Sequence, residues 1–157
     1  MNEQPPQTDS KDAAATNHLV ARHVSIGWHS LLLFLLLGLG LETLHGFKLD
    51  FYLSVDNETR RLMWRLAHAH GAFLALVHLA FAVTVAHAPR WNDGTRRRAS
   101  RCLTISALLI PAGFFSGGIV VHGGDPNISI LMVPIGAVFL ATAVAFTARR
   151  AALAIRQ

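Results

Sequence analysis

Cysteine, acidic residues and charge of any kind are scarce in this chain, and each scarcity removes a class of function. The single cysteine, Cys102, excludes an intrachain disulfide and a cysteine-built zinc cluster, and the lack of C-x-x-C-H excludes covalent c-type haem attachment by that motif. No glycine-rich nucleotide loop and no serine-nucleophile motif occurs. Nothing here therefore points to an independent catalytic activity. Charged residues are 15% of the 157 residues, against about 25% in an ordinary soluble domain.

What is present is apolar. Hydrophobic residues make up 52% of the chain and the mean hydropathy is +0.40. They fall into four blocks separated by short polar turns, at about 24–45, 66–87, 103–121 and 128–148. About 20 apolar residues in a helix cover the hydrocarbon thickness of a bilayer. The expected fold is an all-α integral membrane four-helix bundle, up-down-up-down, with short turns joining antiparallel neighbours. It occupies residues 18–150 as one domain, behind a polar tail of residues 1–17 and ahead of a short basic tail of residues 151–157. The first tail has Pro5 and Pro6 and no apolar face, so disorder is expected there. The first apolar block starts too late and runs too long for a secretory signal and reads as a retained anchor.

The net charge of +5 does not imply nucleic acid, because the basic residues border the apolar blocks. Arg90, Arg96, Arg97, Arg98 and Arg101 fill the turn between the second and third blocks, and Arg149, Arg150 and Arg156 follow the fourth. They outweigh Lys48, Arg60, Arg61 and Arg65 at the other end. By the positive-inside rule both termini are cytoplasmic, in a bacterial-type inner membrane, and the 47–60 and 122–127 turns lie outside. Local punctuation fits this reading. Asp56 or Asn57 is a candidate cap for the second span, Pro89 a stop after it, and Pro111 a bend in the third. The G-F-F-S-G of Gly113 to Gly117 offers a close-packing face, and the glycines of His122-Gly-Gly-Asp-Pro126 suit a tight turn.

The ionisable residues inside the blocks carry the functional question, since apolar spans have few reasons to hold them. His45 lies three residues before Lys48, His68 three after Arg65, and His122 three before Asp125. At about 1.5 Å per residue each imidazole is roughly 4–5 Å inside its flanking charge. All three are thus expected at similar depth in the outer leaflet, with Glu42 and His70 slightly deeper. Glu42 and His45 share a helix face at i, i+3, the spacing with which bundle metal sites draw two ligands from one helix. A mononuclear site from Glu42, His45, His122 and one of His68 or His70 follows, for copper, iron or zinc. A b-type haem is the other option, since His45, His68, His70 and His122 offer cross-helix axial pairs. On the inner side, His29 and His87 form a second candidate pair. His68 and His70 cannot face one point on a regular helix, being about 200° apart. His78, deeper in the same span, must find a hydrogen-bond partner.

At A-H-A-H-G, Ala67 to Gly71, the chain resembles the histidine-bearing helices of haem–copper oxidase subunit I. The resemblance covers five residues and implies a haem as the cofactor to test. The chain as a whole looks like the small four-span membrane proteins of bacteria. The leading expectation is a redox-associated membrane subunit with an outer-leaflet His/Glu cluster holding a metal or b-type haem, partnered by the bilayer and by a larger membrane complex or quinone. A homo-oligomer is compatible with it. The first alternative is a cofactor-free accessory or assembly subunit whose histidines only bridge helices. The second is a proton- or ion-conducting bundle using Glu42 and His78.

Overall fold

Nothing breaks a helix between Gln7 and Gly46, and the chain runs helical over that whole stretch as α1 (Gln7–Gly46). The computed structural model describes the backbone of residues 7–54, 57–87 and 91–155, and the side chains of residues 12–152 within those ranges. After α1 come a one-turn α2 (Asp50–Leu53), then α3 (Glu58–His87) and α4 (Asp93–Gly117). A two-stranded hairpin of β1 (Val121–His122) and β2 (Asp125–Pro126), a 3-10 turn over Ile128–Leu131 and α5 (Met132–Ile155) complete it. The expected four-helix bundle is the observed one. Asp12–Gly46, Glu58–His87, Asp93–Gly117 and Ile128–Ala152 are long and apolar enough to cross a membrane.

The helices pack in a row. α1 lies along α3, α3 against α4, and α4 along α5. Positions 23, 27, 30, 34, 38, 41 and 45 of α1 recur every three to four residues and so share one face. That face holds buried His23, Gly27 and Leu41, half-buried Ser30, Phe34 and Gly38, and exposed His45. Its glycines let two backbones approach, as small residues do between membrane helices. A Cβ on Gly27 would lie 2.7 Å from Leu79 Cγ, and one on Gly38 would strike the His68 ring. Phe34 in turn fills the space over Gly71 of α3. The α4–α5 pair is built the same way, with Gly113 against Val133 and Gly136 against Ile110. The opposite face of α1 is leucine: Leu32, Leu33 and Leu36 are each more than half exposed. A helix in water would bury that surface, which is apolar enough to face hydrocarbon.

Several boundaries differ from expectation. Residues 7–17 continue α1 and are not an unstructured tail. The Asp12-Ala-Ala-Ala-Thr16 run favours helix, Thr16 Oγ1 donates to the Asp12 carbonyl at 2.8 Å, and Arg96 Nη1 of α4 bonds the same hydroxyl. The third span stops at Gly117 and not Val121, because residues 121–126 turn back as the hairpin. Gly123 and Gly124 supply its positive φ values of 59° and 90°, as tight turns require. Helix α4 runs on through Pro111. Asn57 bonds Ser54 Oγ at 2.5 Å and accepts from Arg60 at 2.8 Å, and these contacts fasten the α2–α3 turn. Asp56 and Pro89, expected as cap and stop, lie outside the described residues, as do Arg90 and Arg156.

Candidate functional site

The expected outer-leaflet cluster divides into one shared cleft and two outlying histidines. The cleft, about 1000 Å³, opens between α1 and α3 at the end away from the arginine-rich turn. Glu42 and His45 enter it from α1, one turn apart on one face, and Arg61, Arg65 and His68 from α3. Leu35, Leu39, Leu62 and Leu66 form its apolar walls. Tyr52 of α2 closes one side; it is 2% exposed and stacked near Trp64, with ring centroids 6.3 Å apart. Arg61 pins this turn by donating to the carbonyls of Tyr52 and Ser54 at 3.0 and 2.9 Å. Burial raises the Tyr52 phenol above its ordinary 10.0, against the opposing pull of Arg65 and Arg61.

His68 is held across the helix interface. Its Nδ1 lies 2.6 Å from the Phe34 carbonyl of α1. A carbonyl only accepts, so Nδ1 carries the proton and a neutral ring keeps its lone pair on Nε2. Gly38 makes room for the ring, since a Cβ there would meet it. This interhelical bond and the small residue beneath it set the imidazole's angle against α1.

His70 and His122 stand elsewhere. As the 200° separation requires, His70 points away from His68, toward α4. Its Nδ1 bonds the Leu66 carbonyl at 2.9 Å and its ring lies 4.8 Å from that of Phe114. His122 is exposed on the hairpin, where its backbone pairs with Asp125. The expected convergence does not occur, because α4 ends at Gly117 and leaves His122 on the hairpin, and at this end α1 packs along α3 while α3 packs against α4. Glu42, His45, His70 and His122 therefore do not form one ligand set; among the described residues no three His, Cys, Asp or Glu side chains group as a metal site. Nor does an ion pair reach Glu42 among those residues, where Asp93 takes Arg96 and Arg97. His29 and His87 are exposed and bond their own helices, to the Ser25 and Val83 carbonyls at 2.8 and 2.9 Å.

A second polar group lies deeper. His78 has the partner its position demanded: Nδ1 is 2.8 Å from Nδ1 of His23, whose Nε2 is 2.7 Å from Ser100 Oγ. His23 and His78 are 0% exposed and Ser100 is 1%. Sequence reasoning missed His23 and Ser100 because both sit beside arginines, Arg22 and Arg101, at what reads as the polar edge of a span. The signal was the 3–4 spacing that places His23 on one face with Gly27, Phe34 and Gly38. Comparison of the chain with protein families, with curated proteins and with solved structures found no match.

Proposed function

We propose that this chain is a small redox subunit of the membrane that holds a b-type haem in the α1–α3 cleft, with His45 and His68 as axial ligands. The observation that carries the reading is the His68 bond to the Phe34 carbonyl. Ligating histidines characteristically donate their second nitrogen to such an acceptor, which orients the ring and leaves the other nitrogen for the metal. His45 lines the same cleft from the neighbouring helix, and an axial pair needs two helices.

The size of the cleft favours a macrocycle over a lone copper, iron or zinc ion. At about 1000 Å³ it lies at the upper end of ligand-sized pockets, roughly 300–1,000 Å³. Leucine walls suit the porphyrin faces, and Arg61 and Arg65 offer cations for anionic substituents. Glu42, three residues from His45 on the same helix, supplies a carboxylate to the cleft. His70 and His122 hold no iron in this reading. With the arginine-rich end cytoplasmic, the haem lies in the outer leaflet, where it exchanges electrons with a quinone or an outer-face partner in a larger complex.

The test is an oxidised-minus-reduced visible spectrum with iron analysis on one purified sample, after reconstitution with haem. A Soret band with α and β bands sharpening on reduction is expected, and His68→Ala and His45→Ala should each lose it while remaining folded. Wild-type protein that is folded, colourless and iron-free after reconstitution would defeat the reading in favour of a cofactor-free accessory subunit. Stoichiometric copper or zinc without a Soret band would replace the haem with a metal.

A further inference from the structure

The His23–His78–Ser100 chain belongs to no part of the cleft. His78 is ten residues from His68 along α3, about 15 Å at 1.5 Å per residue. Buried Gly71, Leu74 and Ala75 lie between them on that helix. The two imidazole planes lie within 25° of each other with centroids 4.8 Å apart, meeting edge to edge at their Nδ1 atoms, and Phe81 packs against His23 at 4.6 Å. Each member of the chain comes from a different helix: α1, α3 and α4.

The atoms admit two proton arrangements. Between two imidazole nitrogens one must donate and the other accept. In the first arrangement Ser100 donates to His23 Nε2, His23 Nδ1 donates to His78 Nδ1, and His78 carries its proton on Nε2. In the second, His78 Nδ1 donates to His23 Nδ1, His23 Nε2 donates to Ser100 Oγ, and His78 Nε2 holds only a lone pair. Converting the first into the second moves one proton across each bond, supplies a new proton to Ser100 Oγ and removes the Nε2 proton of His78.

The two ends of the chain are unlike. Ser100 lies at a cleft of about 320 Å³ lined by His18, Arg22, Arg96, Arg97 and Arg101 at the arginine-rich end. His78 Nε2 is buried and makes no well-formed hydrogen bond among the described residues, and the Leu103 backbone of α4 is the polar group beside that ring. A buried nitrogen so weakly compensated costs desolvation free energy, and such groups call for an explanation.

We propose that Ser100, His23 and His78 form a proton relay that loads His78 from the arginine-rich cleft. Hydronium in the cleft gives a proton to Ser100 Oγ and becomes water, as the serine passes its own proton to His23 Nε2. His23 Nδ1 passes its proton to His78 Nδ1. Serine and His23 each gain one and lose one, and His78 becomes imidazolium with both nitrogens protonated. Around the relay, α1 contributes Arg22 and His18, α4 contributes Arg96 and Arg101, and Asp93 is taken by Arg96. The α3 neighbour is apolar Phe81, which belongs to a core shared with Leu103 and with Ala143 of α5.

The experiment uses full-length protein, 15N-labelled at histidine, in lipid nanodiscs, with ring N–H exchange against water read by NMR. Wild type should show His23 and His78 nitrogens averaged between donor and acceptor, with ring protons exchanging with water. Ser100→Ala should slow that exchange by about tenfold, the rate equivalent of losing one relay hydrogen bond. Surface His29 should be unaffected, and Ser100→Thr, which keeps the hydroxyl, should retain exchange. If Ser100→Ala does not fold, Ser100→Cys, a far weaker donor, gives the same comparison. A single fixed tautomer in wild type, or exchange that the alanine or cysteine variant leaves unchanged, overturns the relay. The readout needs no haem, so it stands or falls apart from the cleft.

Discussion

Replacing Gly38 with alanine should destabilise the bundle, although alanine is the better helix former. The sign depends on two competing magnitudes. Alanine gains about 1 kcal/mol over glycine inside a helix. Against that, the new methyl would lie 2.8 Å from His68 Nδ1 and 3.0 Å from Nε2, and nearer still to Cε1. The ring must withdraw by roughly 0.5–1 Å, and overpacking of this kind costs about 1–3 kcal/mol. Withdrawal also stretches the 2.6 Å bond to the Phe34 carbonyl, for about 0.5–1.5 kcal/mol more. The net is a loss of about 0.5–3.5 kcal/mol. Gly40, two residues on, is the control, because a Cβ there meets nothing within 4 Å. Gly40→Ala should be neutral or stabilising by up to about 1 kcal/mol. Unfolding of both variants in nanodiscs, by steric trapping or thermal melting, decides the matter. If Gly38→Ala is as stable as Gly40→Ala, α1 does not dock on His68, and the cleft geometry built on that contact fails.

Two further outcomes test local structure. Asn92→Ala should cost about 1 kcal/mol in the same unfolding assay, because the Asn92 side chain caps α4 by accepting from the Gly94 and Thr95 amides at 3.0 and 3.3 Å. The chain has one tyrosine, so absorbance at the phenolate band reports Tyr52 alone. Its ionisation should come above pH 10.0; since the folded value is the raised one, its stabilisation is complete below that pH and is lost as pH rises toward the folded value. Tyr52 titrating at or below the ordinary value would contradict its burial.

Much of the bundle was readable from residue order, because a long apolar segment satisfies its backbone polar groups most simply within one helix. The leucine runs, the arginine-rich turn and the glycine turn at Gly123–Gly124 were legible for that reason. Helix ends were less so. The Asp12-Ala-Ala-Ala-Thr16 run continues the helix because nothing stops it, so the edge of an apolar block is not the edge of the helix. The site was legible only in part. Depth follows from counting residues inward from a charge, and His45 and His68 do share a cleft. Direction across the bundle follows from which helices are neighbours, and no count along one helix supplies that.

The sequence by itself therefore determined four apolar helices, their alternating course, the divergence of His68 from His70, and His78's need for a partner, because each depends on composition or on rotation within a single helix. The tertiary structure alone decided that His45 and His122 do not converge, that His68 leans on the Phe34 carbonyl, and that His23 and Ser100 complete the buried chain. Those outcomes depend on which helix faces meet, and here the glycines at 27, 38 and 71 set how closely α1 and α3 approach.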